Sequence, residues 1–227
     1  MKFSKFTPNE TVFGFIYFLL QLLIIPGILL AINMMLPNPM SEALVNVWFF
    51  AANFVVVIVL FRKYLAKNFY AVRQNPWHVL RCAGIGLLIY MAGNGIFSFL
   101  TTAFFPDFAN INDAAIMEMV QEHFGLMTLG TVVFVPLAEE CFYRGLIFRG
   151  LYDKSPVVAY ILSMVIFSLA HVVGYVTMAD FGTLVLCFFQ YLPAGFALAW
   201  CYQRSGSIYA SILVHMAVNQ TGMLLMR

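Results

Sequence analysis

Three short stretches of the chain combine residue types that could do chemistry. "EECFYR" (139–144) sets two carboxylates before an arginine, "FSLAH" (167–171) ends on a histidine, and "HMAVN" (215–219) joins a histidine to an asparagine. Helix positions four apart share a face, so Glu140 and Arg144, Phe167 and His171, and His215 and Asn219 each point one way. At 3.6 residues per turn, Glu139 is rotated by roughly 100° from Glu140, and the two acids need not do one job. Pairing Glu140 with Arg144 lets both stay charged where water is scarce and leaves Glu139 as the free carboxylate. Glu139 and His171 could then hold one water and activate it by general-base catalysis. His215 and Asn219 could donate hydrogen bonds to the oxyanion of a tetrahedral intermediate. Phe167 is expected to pack beside this group.

These residues lie in a chain built for lipid. It has 227 residues, 63% hydrophobic and only 10% charged, with a mean hydropathy of +0.89. A soluble domain would carry about 25% charged residues. The expected fold is all-α, a polytopic membrane helix bundle of about seven transmembrane helices around a polar cavity at mid-membrane depth. A spanning helix needs about 20 apolar residues, which gives segments at 12–35, 43–62, 82–105, 126–149, 156–176, 181–203 and 206–226. The first apolar run is long enough to span and does not read as a secretory signal. Polar stretches separate the segments, among them the basic "RKYLAKNFYAVRQNPWHVLR" and the acidic "FPDFANINDAAIMEMVQEHFG". Pro136 should kink segment four by removing a backbone hydrogen bond.

Charge placement orients the segments, because lysine and arginine favour the cytoplasmic side. Lys2 and Lys5 place the N-terminus inside, and Arg62, Lys63, Lys67, Arg73 and Arg81 do the same for the loop after segment two. The loops after segments one, three and five hold only acids: Glu42, Asp107, Asp113, Glu118, Glu122 and Asp180. Seven crossings put the N-terminus in the cytoplasm and the C-terminus outside, in a protein expected in the cell membrane. At 1.5 Å per residue, Glu139 lies about 15 Å, His171 about 22 Å, His215 about 14 Å and Asn219 about 20 Å from the cytoplasmic ends of their segments. Polar groups from three helices therefore meet near one level.

The three motifs in this order, EExxxR, FxxxH and HxxxN, resemble those of the CPBP intramembrane proteases, also called the CAAX protease and bacteriocin-processing or Abi family. Gly145 after the arginine and "GSIYASILVH" before the third motif add to the likeness, which covers about the C-terminal hundred residues. The resemblance implies a catalytic four-helix core at 126–227, preceded at 1–125 by three further segments and an outer amphipathic stretch. It implies an endopeptidase acting on a membrane-associated peptide or lipid-anchored protein, of CAAX type or of the bacteriocin and pheromone type. By position, Glu139 and His171 would activate water, His215 and Asn219 would form the oxyanion site, and Glu140 and Arg144 would support them. Membrane lipids are the other expected partners, and nucleic acid is not expected.

Other readings stand beside these. Zinc could be held by Glu139, His171 and His215, but no HExxH is present, and metal-free catalysis is the reading favoured here. A non-catalytic immunity or scaffold protein of the same fold would keep the motifs without turnover. A transporter would use buried carboxylates and histidines as a relay; the internal repeats common in such folds are not visible. Ile116, Met119, Val120 and Phe124 share a face in the stretch 112–124, which reads as an amphipathic packing cover. Gln21, Asn53, Asn94 and Gln190 read as polar links between helices, and the four cysteines as small buried hydrophobes.

Overall fold

The structure, a computed structural model, describes residues 4–227; Lys2, used above to orient the N-terminus, lies outside them. The regular structure described is helical throughout: α1 Pro8–Leu23, α2 Ile25–Met34, α3 Glu42–Leu60, α4 Arg62–Gln74, α5 Pro76–Phe104, α6 Ile111–Leu129, α7 Val135–Glu140, α8 Arg149–Tyr152, α9 Pro156–Ala170, α10 Phe181–Ser205 and α11 Ile208–Leu225. Two π-helical stretches, Gly130–Phe134 and Cys141–Phe148, join α6, α7 and α8 into one rod. Among the described residues, six helices are long and apolar enough to cross a membrane, or seven if α1 and α2, bent by 45°, form one span. The chain is a polytopic helical bundle. Large side chains such as Leu23, Trp77, Phe99 and Phe104 face outward, as expected of a surface solvated by lipid.

Local sequence sets the ends. Thr7 and Glu10 form a capping box at α1, with Glu10 Oε2 accepting from Thr7 N at 2.8 Å. Glu10 Oε1 also accepts from Tyr64 N at 2.9 Å, satisfying one of the orphan donors at the start of α4. Asn68 Oδ1 does the same for Ile208 at the start of α11, at 3.0 Å. At the far end of the rod, hydrogen bonds from Arg149 and Lys5 hold the Asp153 carboxyl down to about 2. That pairing is in place above the ordinary carboxylate range and fades only as pH falls towards about 2.

Three boundaries differ from the sequence expectation. The basic stretch after segment two is not a loop: α4 and the first turns of α5 occupy it, because Tyr64, Leu65 and Asn68 give α4 a buried face. The amphipathic stretch near residues 112–124 is the first part of α6, which runs on into segment four through a kink at His123 (φ −140°, ψ 60°). Val120 there packs with Ala43, Met127 and Met223, and Ile116, Met119 and Phe124 lie against that cluster. Segment five ends early, and His171 sits just beyond α9 rather than within it.

The main core joins both halves of the chain: Phe18, Val57, Phe61 and Tyr64 pack with Phe142, Leu146, Phe148, Phe167 and Tyr202. At Gly145 the rod packs closely against the N-terminal segment. A Cβ there would sit 2.8 Å from the Phe6 ring and 3.2 Å from Tyr64. Cys82, Cys141, Cys187 and Cys201 are free and buried.

Candidate active site

The rod carries the acids, and its backbone explains how they are presented. In the first π-helical stretch, Val135 N bonds to Gly130 O, five residues back. The same register would pair Thr131 O with residue 136, but Pro136 has no N–H to give. Asn219 fills the gap, its Nδ2 donating to Thr131 O at 2.8 Å. Instead of a simple proline kink, the helix widens on both sides of α7; π-helical turns of this kind are frequent at functional sites.

Glu140 and Arg144 are both fully buried and paired, with Arg144 Nη1 3.1 Å from Glu140 Oε1. Arg144 Nη2 donates to Gly195 O at 3.2 Å, and its guanidinium carbon lies 4.5 Å from the centre of the Phe167 ring. Phe167 is buried and touches both histidines, with ring centres 4.6 Å from His171 and 5.9 Å from His215.

Each histidine is oriented through Nδ1. At the end of α9 the backbone tightens, and His171 N bonds to Ser168 O rather than to Phe167 O. The freed Phe167 carbonyl lies 2.8 Å from His171 Nδ1. A carbonyl can only accept, so Nδ1 carries the proton and Nε2 offers a lone pair. His215 Nδ1 lies 3.0 Å from Glu140 Oε1, an ionised partner that also only accepts. Both Nε2 atoms then face Glu139: Oε2 is 3.9 Å from His171 Nε2 and 3.9 Å from His215 Nε2. That oxygen is buried without a hydrogen-bond partner. The structure thus brings Glu139, His171 and His215 together and ties Glu140 to both Arg144 and His215.

A separation of 3.9 Å is too long for a direct hydrogen bond, but one water about 2.8 Å from each atom would bridge it. Zinc fits less well. Oriented imidazoles suit a metal, yet tetrahedral ligands about 2.1 Å from zinc stand about 3.4 Å apart. Among the described residues, no group of three or more histidine, cysteine or acidic side chains is arranged to hold a metal ion.

These groups open onto a cavity of about 830 Å³, walled by residues of α1, α3, α5, α6, α9, α10 and α11 as well as the rod. Glu139, Phe167, His171, His215 and Asn219 all line it. So do Gln21, Asn53, Asn94 and Gln190, which were expected to link helices. Gln190 does accept a hydrogen bond, from Asn110 at 2.9 Å, whereas the buried Asn53 Oδ1 has no partner.

One neighbour of His171 was not visible in the motifs. The Tyr191 ring stacks on it at 4.3 Å and 28°, and the Tyr191 hydroxyl accepts from Asn112 Nδ2 at 3.0 Å and Asn110 Nδ2 at 3.3 Å. Tyr191 also donates to Asp113 Oδ1 at 3.5 Å. The start of α6 is thereby fastened to the ring that covers His171. The signal in the sequence was faint, a Gln-Tyr pair inside the apolar run of segment six.

Comparison with known proteins bears on the same part of the chain. A protein of Bacillus subtilis (strain 168) named "Putative membrane peptidase YdiL" is 32% identical over 109 residues, 48% of this chain and 40% of the relative. The "UPF0177 protein YxdF" of Lactococcus lactis subsp. lactis (strain IL1403) is 32% identical over 90 residues, 40% of this chain and 44% of the relative. The matched stretch thus spans less than half the length of each of these curated relatives. No solved structure matches the chain. Residues 121–221, the segment that holds all three motifs, match the family described as type II CAAX prenyl endopeptidase Rce1-like.

Proposed function

We propose that this chain is an intramembrane endopeptidase that hydrolyses a peptide bond of a membrane-associated peptide or protein, with Glu139 as general base. The observation that carries the reading is the shared approach of the His171 and His215 Nε2 atoms to Glu139 Oε2, each at 3.9 Å.

A water in this gap donates one O–H to Glu139 and the other to His171 Nε2, leaving a lone pair for the substrate carbonyl. Glu139 takes the proton as the C–O bond forms, and the tetrahedral oxyanion develops. His215, protonated on Nε2 and held through Nδ1 by Glu140, donates to that oxyanion. The second N–H of Asn219 Nδ2 adds to the same site. Collapse breaks the C–N bond, and Glu139 returns its proton to the leaving amine. Arg144 pairs with Glu140, and Glu140 keeps His215 oriented. Metal-free catalysis suits the donor spacing, and the charge distribution along the chain supports a cytoplasmic N-terminus in the cell membrane.

The test compares membrane peptides of cells carrying the wild type, Glu139→Gln or His171→Ala. Both variants should accumulate uncut peptides that the wild type removes. If both are produced at normal levels and the peptide profile is unchanged, the peptidase reading fails.

A further inference from the structure

The rod that carries the acids also carries a hydroxyl that the chemistry at Glu139 does not use. Tyr143 follows Glu139 by one helical turn, so the two share a face, and both line the cavity. Tyr143 is 2% exposed. Its ring meets Phe18 and Phe167 edge to face, with ring centres 5.7 Å and 5.2 Å away. Ser163 Oγ donates to its backbone carbonyl at 3.0 Å. Phe167 also touches both histidine rings, so one phenyl group spaces Tyr143 from the site.

The ring is held on both sides, and the hydroxyl is not held at all. Among the described residues the Tyr143 hydroxyl has no hydrogen-bond partner. It is also not sealed away as Asn53 Oδ1 and Ser168 Oγ are. Because Tyr143 lines the cavity, that hydroxyl opens into it. Packing alone would be met by phenylalanine at this position. What tyrosine adds is an O–H donor, in a fixed place, for whatever displaces water from the cavity.

A peptide offers such a donor its main-chain carbonyls, whatever its side chains. Four residues of helix rise about 6 Å, and an extended peptide advances about 3.3 Å per residue. With the cut bond at Glu139, a carbonyl two residues along, towards the α8 end of the rod, comes level with Tyr143. His215 and Asn219 are assigned to the cut carbonyl itself. A second attachment point would fix the direction and register of the chain between them.

We propose that Tyr143 is a substrate-positioning residue, whose hydroxyl donates to a main-chain carbonyl about two residues from the cut bond. This rests on the peptidase reading and deepens it.

Binding and cleavage are therefore measured separately. Glu139→Gln protein in lipid nanodiscs is offered a mixed library of apolar decapeptides, and bound peptides are quantified by mass spectrometry. Adding Tyr143→Phe should lower capture about fivefold. It should not lower the melting temperature, since the hydroxyl holds nothing in the empty protein. With the best-captured peptide as substrate, Tyr143→Phe alone should raise KM about fivefold and leave kcat within about twofold of wild type. Unchanged capture and unchanged KM would overturn the proposal, as would no capture of any peptide or a loss confined to kcat. A lower melting temperature of Tyr143→Phe would overturn it too, because the hydroxyl would then serve the fold. Capture that depends on Tyr143, without any cleavage by the wild type, would leave the peptide contact standing and sink the peptidase reading.

Discussion

Glu140 accepts a hydrogen bond from His215 Nδ1 at 3.0 Å, tying the acid doublet of α7 to the histidine of α11. The same oxygen lies 3.1 Å from Arg144. The second acid of the doublet therefore orients one of the two rings that face the first. Adjacent carboxylates, divided by a rotation of one residue along the helix, hold different positions in the site.

That division predicts unequal effects of two conservative changes. Glu139→Gln removes the base and should lower cleavage by about 10²–10⁴-fold with normal yield and melting temperature. Glu140→Gln keeps an oxygen for His215 but strips the charge facing Arg144. It should lose about tenfold less activity and melt at a lower temperature. Rates and melting curves of the two variants in one detergent decide the matter. A reversed order of activity would exchange the roles of the two acids.

Arg144→Ala should destabilise the protein by about 3–5 kcal/mol, because it leaves the Glu140 carboxylate buried without its cation. The double variant Glu140→Gln, Arg144→Met should regain part of that loss, since neither charge remains. Denaturation in mild detergent gives the comparison. Normal stability in Arg144→Ala would show that the pair contributes little.

Tyr191 offers two separable contacts with the site: a ring stacked on His171 and a hydroxyl bound to Asn110 and Asn112. Tyr191→Phe keeps the stack and frees the start of α6, so turnover should stay within about threefold of wild type while KM rises. Tyr191→Leu removes the ring and should lower kcat about tenfold. Equal kcat in all three proteins would mean that the stack does not position His171.

Much of this site could be read before any coordinates. Spacing alone paired Glu140 with Arg144, and the apolar segments with their charged breaks gave the helical membrane bundle. Four things could not be read that way. The His215–Glu140 bond depends on how α11 rotates against α7, which no local pattern specifies. The π-helical stretches depend on packing, although Pro136 hinted that something would give. His171 was expected within a helix, but its ring competes for the Phe167 carbonyl and ends α9 there. Asn53 of α3 looked like an ordinary link between helices, because nothing in an apolar run tells whether an asparagine meets a partner or a cavity.

Asn219 is tied to the backbone of the rod as well as lining the cavity. Asn219→Ala should cost about 1–3 kcal/mol by leaving the Thr131 carbonyl without its donor. If the second N–H also serves the oxyanion, kcat should fall by about 10²–10³-fold, even well below the melting temperature. A stability loss with unchanged kcat would confine Asn219 to holding the widened helix in shape.

Chelation tests the choice between water and metal at Glu139. The separation of 3.9 Å from Glu139 Oε2 to each Nε2 suits a bridging water better than a shared zinc ion. Purified protein dialysed against a strong chelator should therefore keep its rate within about twofold, with no metal found by elemental analysis. Loss of cleavage, restored by one equivalent of zinc, would mean that the two rings and Glu139 close by about half an ångström around the ion. In that case Glu139→Gln would lose bound zinc together with activity, so the metal content of that variant separates a ligand from a base.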